Sequence, residues 1–269
     1  MRLFKRLIRY ILNSQNIFAE RSIEKIKLLD FIKLFKIKIP SNVDLIRIGS
    51  SHDGGYLVPN ILEKINFCFS AGVGGNIEFE KDLLKYKIKS FGADSTVDGP
   101  PEIVNEYTFL KKNINTFNDN QNITFEKWIK DQNISDENLI GQIDIEGDEY
   151  KLILSTPSEI LKKFKILIFE FHYIHKIQDK IIYNLYVSAF KKILKDFNIC
   201  HLHINNAEKQ SKIRNIEIPH LLEVTFLNKN CYSAELKKAT IPHILDNKNI
   251  PSKDNVNFDK NWLDIIIQN

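Results

Sequence analysis

A short apolar segment, Ile65 to Ser70, runs straight into Gly72, Gly74 and Gly75, and a helical pattern carrying Phe79, Leu83 and Leu84 follows at once. Strand, glycine turn and helix in direct succession open a βαβ unit in which the backbone can approach a ligand closely, because glycine has no Cβ to hold it away. About 20 residues beyond Gly72, at the spacing of an acid that reads a nucleotide ribose, Asp94 closes the next apolar strand, Ile88 to Ala93. Its carboxylate could accept hydrogen bonds from both ribose hydroxyls. The bland reading makes Gly72 to Gly75 a tight turn and Asp94 a cap or turn residue.

The rest of the chain extends the alternation. Leu139 to Ile145 and Phe164 to Phe171 read as strands, the latter apolar enough to be buried on both faces, while Ser158 to Lys163 and Ile181 to Phe197 read as helices. Near the end, Ile199 to Ile204 and Leu221 to Leu227 read as two strands joined by a polar stretch, which favours an antiparallel pair. Upstream, Leu45 to Ile48 and Tyr56 to Val58 flank a turn containing Asp53, Gly54 and Gly55. The fold class is therefore α/β, a Rossmann-like, doubly wound, mostly parallel sheet with a C-terminal antiparallel strand pair, and its ligand site belongs at the carboxyl ends of the strands.

Ahead of this domain, helices are expected over Met1 to Asn13 and from Glu20 to about Phe35. Pro40 closes the region, dividing the chain into an arm, residues 1–40, and a domain, residues 41–269. The arm holds ten Lys and Arg against three acidic residues, so the remainder is slightly acidic although the whole chain carries +4. That excludes a nucleic-acid enzyme with a basic cleft. The first helix sets Leu3, Phe4, Leu7, Ile8 and Ile11 against Arg2, Lys5, Arg6 and Arg9. Such a stripe suits either peripheral contact of residues 1–13 with an anionic membrane or packing against the domain or a second subunit of a homo-oligomer. Three cysteines without CxxC spacing, no span-length apolar run and no leader-type h-region point to a cytoplasmic protein, with the inner face of the membrane as its expected place if the arm binds lipid.

A nicotinamide dinucleotide would also suit the glycine turn and Asp94. Two features favour a sulfonium cofactor instead. The third glycine of GxGxxG is replaced by Ile77, so no pyrophosphate seat is evident at the helix start. The antiparallel pair also suits the methyltransferase variant of the fold. With these features the chain resembles the FkbM-type methyltransferases, through Arg47-Ile-Gly with Asp53-Gly-Gly-Tyr56, Phe69-Ser-Ala-Gly-Val-Gly-Gly75, Phe91-Gly-Ala-Asp94, Ile143-Asp-Ile-Glu-Gly147 and Phe169-Glu-Phe-His172. The resemblance spans most of residues 45 to 228. It implies methyl transfer from S-adenosylmethionine to an oxygen, commonly on a sugar or polyketide, with Gly72, Gly74 and Asp94 in the cofactor loop and ribose roles.

Asp53, Gly54, Gly55 and Tyr56 then read equally as a hairpin turn or as a flap toward the cofactor's methionine end, Asp53 attracting its ammonium. Asp144 falls at a strand's carboxyl end, where it would hold that amino group, bind a cation or orient a substrate hydroxyl. Asp148 and Glu149 read as first-turn residues complementing a helix dipole. Glu170 and His172 share one face of the next strand, His172 as base for the acceptor hydroxyl, or the two as a structural pair. Asp144, Glu170 and His203 form a candidate set for Mg²⁺ or a similar ion, and Glu223 is a candidate for the acceptor pocket or a surface residue. The expected activity is O-methylation of a carbohydrate or glycoconjugate hydroxyl, without nucleic acid as partner. Its rivals are an NAD-dependent oxidoreductase and a non-catalytic, cofactor-binding partner of a glycan synthase.

Overall fold

The structure, a computed structural model, describes residues 22–134 and 137–267, preceded by 6, 10–12, 14 and 15. The basic helix expected over Met1 to Asn13 thus lies almost wholly outside the described residues. The second helix begins later than its apolar pattern suggests, as α1 (Lys25–Ile32) running into a short 3-10 turn that ends at Phe35. It is not an arm. Leu28, Phe31 and Phe35 are fully buried, and Phe35 packs its ring on Phe190 at 4.5 Å and Trp262 at 5.3 Å. The boundary expected near Pro40 therefore separates no second core among the described residues; Ile37, Ile39 and the downstream sheet share one apolar cluster.

After β1 (Ile39–Pro40), the hairpin of β2 (Leu45–Gly49) and β3 (Gly55–Pro59) pairs antiparallel around the DGG turn. The main alternation follows with β4 (Phe67–Ala71), α2 (Glu78–Leu84), β5 (Lys89–Ala93) and β6 (Tyr107–Leu110). A small parallel pair, β7 (Asn113–Asn115) and β8 (Asn122–Thr124), leads into α3 (Phe125–Asp131), whose first turn is capped by the Thr124 hydroxyl accepting from Lys127 N–H. Then come β9 (Leu139–Ile143), α4 (Glu149–Ser155), α5 (Ser158–Leu161) and β10 (Phe164–His172). The long helix α6 (Lys180–Ile193) starts at Asp179, whose carboxylate accepts from the Ile181 and Ile182 N–H groups, the expected chemistry of an N-cap. The chain finishes with β11 (Phe197–Ile204), the hairpin β12 (Gln210–Ile213) and β13 (Ile216–Pro219), β14 (Leu221–Asn228), β15 (Leu236–Lys237) paired to β1, and α7 (Lys260–Ile266).

Seven strands form the central sheet in the order β6-β5-β4-β9-β10-β14-β11. All neighbours are parallel except β14, which runs antiparallel to both β10 and β11. This is the Rossmann-like, doubly wound sheet with a reversed strand near one end, the methyltransferase variant of that fold. Strand order reverses between β4 and β9, and the crevice at their carboxyl ends is where an open α/β sheet receives a ligand. Strand β10 explains its own burial: its middle, Ile166 to Phe169, is an unbroken apolar run sealed between β9 and β14. Strand β6, helices α3 and α7 and the small pairs were not expected from the sequence. Among the described residues no helix is long and apolar enough to cross a membrane.

Candidate functional site

The loop after β4 is shaped by one close approach. Gly72 has φ of +80°, and a Cβ there would lie 1.6 Å from the Asp144 carbonyl oxygen. Backbone hydrogen bonds continue past the strand ends, Gly72 N–H to Ala93 O and Asp144 N–H to Ala71 O, both 2.9 Å, so the ends of β4, β5 and β9 are tied into one rim. Gly74, with φ of +52°, has open space where its Cβ would be.

Asp94 stands on that rim, nearly buried. Its Oδ2 accepts from Gly74 N–H at 2.8 Å, and its Oδ1 accepts from the Thr96 N–H at 2.7 Å and the Thr96 hydroxyl at 2.6 Å. These bonds are the turn role; a hydroxyl role rests on the acceptor position they leave over. A carboxylate has about four acceptor positions, so with three in use Asp94 can take one further hydroxyl through Oδ2. The expectation that it takes both ribose hydroxyls requires Thr96 to turn its hydroxyl away.

These groups line a cleft of about 550 Å³ together with Asp53, Gly54, Tyr56, Asn76, Glu80, Lys112, Gln142, Asp144, Glu146 and Asp148, a size typical of a small-molecule site. Six of the lining residues are carboxylic acids and one is a lysine. Glu80 is buried on α2, with Oε2 lacking a hydrogen-bond partner, and burial raises its pKa to about 7.

The DGG turn forms the hairpin expected of it. It closes the β2–β3 hairpin so tightly that a Cβ on Gly55 would fall 1.8 Å from the Ser50 carbonyl oxygen, and Arg47 braces it by donating to the carbonyls of Ser50 (2.8 Å) and His52 (2.9 Å). It also reaches the glycine loop, with Asn76 Nδ2 donating to the Asp53 carbonyl at 3.3 Å. Tyr56 is buried against Phe79, and its hydroxyl accepts from Gln142 at 3.2 Å and points toward Glu170 Oε2 at 3.5 Å.

A second pocket of about 310 Å³ shares Asp53, Asp144 and Glu146 with the cleft and adds Glu170, His172, Tyr173, His175, Asn205, Glu208 and His220. His172 is its centre. Its Nδ1 lies 3.0 Å from Glu149 Oε1 and 3.1 Å from the Glu170 carbonyl oxygen, two acceptors, so Nδ1 carries a proton. Its Nε2 lies 3.4 Å from Glu146 Oε2 and 3.7 Å from Asp144 Oδ1. Burial alone would lower its pKa, but the hydrogen bond to Glu149 and the charges of Glu149, Asp144 and Glu146 raise it. Asp144 is moved up to about 7, first by burial and then by the neighbouring carboxylates, against the pull of His172. Glu146 holds a left-handed φ of 56° and Tyr173 one of 58°, uncommon for residues with side chains, and both border the pocket.

Glu149 departs from its expected role. It is the first residue of α4, yet its Oε1 turns back to accept from Ile145 N–H (3.3 Å) and Gly147 N–H (2.9 Å) as well as facing His172. Glu170 is buried, accepts from Asn205 Nδ2 at 2.9 Å, and is held well above the usual carboxylate range by burial and by Asp144, Glu223 and Asp53.

The set Asp144, Glu170 and His203 does not converge. Cross-strand register places Glu170 beside Glu223 and Glu223 beside His203, so an entire strand separates the two outer residues. His203 instead meets Asn249 Oδ1 at 3.0 Å and Asp246 Oδ1 at 3.7 Å, and His201 meets Asp246 at 2.9 Å. Glu223 is neither at an edge nor on the surface: it is buried and accepts from Asn249 (2.6 Å) and Asn205 (3.4 Å). Gln142 could have been noticed as a lone amide in an apolar strand. Asn249 and Asp246 gave no local signal, and His175 and His220, stacked at 3.5 Å, are joined only by the fold.

No family model matches the sequence, and no curated protein sequence is similar to it. Among solved structures, a chain of a fibrillarin/Nop5p complex aligns over 70% of this chain and 97% of its own length, with 9% identity and a TM-score of 0.37. At that level the likeness adds nothing to what the strand order shows.

Proposed function

We propose that the protein is an S-adenosylmethionine-dependent O-methyltransferase of FkbM type, acting on a hydroxyl of a sugar or glycan precursor. The observation that carries this reading is the meeting of the glycine-loop cleft with a second polar pocket at Asp53, Asp144 and Glu146. A donor in the first and an acceptor in the second would touch at that junction.

Charge favours this donor over a dinucleotide. Six acids against one lysine make a cleft that attracts a cationic sulfonium and an ammonium, and that repels the two phosphates of NAD. S-adenosylmethionine, when bound, supplies a methyl group activated by its positive sulfur. The chain's own residues then orient and deprotonate. Asp94 Oδ2 accepts a ribose hydroxyl, Asp53 and Asp144 face the ammonium end, and the second pocket holds the acceptor oxygen in line. Methylating a hydroxyl releases one proton, and His172 Nε2 is the group placed to take it when neutral. Glu170, whose pKa burial raises, and the Asn205 amide face a polyhydroxyl acceptor as hydrogen-bonding groups, and Tyr173, 42% exposed, offers a ring face.

The experiment is calorimetric titration with S-adenosylmethionine, S-adenosylhomocysteine and NADH, on the wild type and on Asp94→Ala. The expected outcome is binding of the first two, weakened at least roughly tenfold by the substitution, consistent with loss of a hydrogen bond to a charged group. Binding of NADH alone would overturn the reading.

A further inference from the structure

Among the described residues, one set of three side chains brings metal-ligand atoms within 4.8 Å of one another: Asp144, Glu149 and His172. They come from three different segments, the end of β9, the start of α4 and the end of β10. The set differs from a chance cluster of surface acids. Glu149 has a fully buried side chain, and its Oε2 is out of reach of any hydrogen-bond donor, as is the buried Oδ1 of Asp144. Leaving two carboxylate oxygens dry and without donors is costly unless a cation satisfies them. A third acid, Glu146, comes within 3.4 Å of His172 Nε2 from the exposed rim.

We propose that Asp144, Glu149 and His172 bind a divalent transition-metal ion at the junction of the two pockets, with Glu146 closing over it from the rim; in the ion-bound form His172 Nε2 is a ligand, and the base role given to it above belongs to the ion-free protein. The donor set names the class of ion. Magnesium and calcium favour oxygen donors throughout, whereas two carboxylates and an imidazole suit Mn²⁺, Fe²⁺ or Zn²⁺. The three contacts that Glu149 Oε1 accepts, from Ile145, Gly147 and His172, fix the site before any ion arrives. This is the orienting role that outer hydrogen bonds play around metal ligands.

The test is titration of the chelator-stripped full chain with Mn²⁺ in the absence of S-adenosylmethionine, following loss of the free ion's paramagnetic resonance signal. One site per chain is expected with a Kd below about 1 mM, the weak end of functional metal sites. Asp144→Asn and His172→Gln should each weaken it roughly tenfold or more, while Asp131→Asn, at a surface carboxylate paired with Lys127, should not. Thermal melts of each variant show which of them keeps the fold, and either one suffices. Free Mn²⁺ throughout the titration of the wild type, or binding that survives both substitutions, overturns the proposal. Because no methyl donor is present, that failure leaves the methyltransferase reading intact; a protein that binds Mn²⁺ and no S-adenosylmethionine would overturn the other reading alone.

Discussion

At the ends of β4 and β5 the backbone makes the site: a glycine whose missing Cβ admits the Asp144 carbonyl, and an aspartate whose carboxylate is held by the neighbouring N–H of Gly74. Beyond β9, across β10, β14 and β11, side chains make it. Glu170, Glu223 and His203 stand in one row of cross-strand neighbours, tied by Asn205 and Asn249 to one another and to Asp53. The parallel half is specified by what must be absent from a few positions, and the antiparallel half by polar groups that must all be satisfied together. A ligand common to many proteins can be held by backbone, whereas a particular acceptor needs side chains. That division fits a donor on the parallel side and an acceptor on the other.

The comparison breaks most sharply at Gly72. Gly72→Ala puts a methyl group where the Asp144 carbonyl already sits and forces a left-handed conformation on alanine. Both effects prise β4 from β9, and a loss of about 3 to 5 kcal/mol in urea unfolding is expected, in the range of backbone strain combined with core disruption. Gly74→Ala is its control. With open space around the new methyl group it should cost only about 1 kcal/mol, while reducing S-adenosylmethionine affinity because the methyl faces the cleft. Equal stability losses for the two would show that the close approach at Gly72 is not what specifies the loop.

A second effect, almost as large, tests whether the parallel half tolerates a buried acid for stability or in spite of it. Burial raises Glu80 from 4.5 to about 7, so the folded state keeps a proton that the unfolded chain has already released. The resulting stability is fully present below pH 4.5, falls as pH rises through the interval and is lost above about 7. Glu80→Gln removes that slope. The difference between wild-type and variant stabilities should therefore grow by about 3 kcal/mol in the variant's favour between pH 4.5 and 8, as read from denaturant unfolding at each pH. Parallel pH profiles would mean that Glu80 is ionised and partnered in the native protein.

How far the sequence could be read follows the same division. Glycines, strand periodicity and the Asp94 spacing are local, and they placed the sheet and the reversed strand at nearly the right residues and brought Gly74 and Asp94 together on one rim. The reading faltered where a residue acts through a distant partner. Glu149 looks like an ordinary first-turn acid until His172 is brought to it across 23 positions. The pairing of Asp144 and Glu170 with His203 assumed that polar strand ends meet at one point, whereas register spreads them across three strands. The segment from Lys25 to Phe35 looked like an appendage because its partners, Phe190 and Trp262, lie far along the chain.

The smallest expected effect asks whether the two halves are separable at all. Asn249 is buried in the segment after β15, 196 positions from Asp53, to which its Nδ2 donates at 3.2 Å while donating also to Glu223 at 2.6 Å. Its Oδ1 meets His203 Nε2 at 3.0 Å. Asn249→Ala deprives Glu223 and His203 of a partner in a buried place, which should cost about 1 to 2 kcal/mol of stability. It leaves the rim of β4, β5 and β9 untouched. S-adenosylmethionine affinity, measured by calorimetry, should therefore stay within roughly twofold of wild type, a difference of well under 1 kcal/mol, while any acceptor binds more weakly because Glu223 and His203 lose the amide that holds them. If donor affinity fell as far as stability did, the Asp53 turn would be the element that couples the halves. The flap, not the sheet, would then decide when the donor cleft is formed.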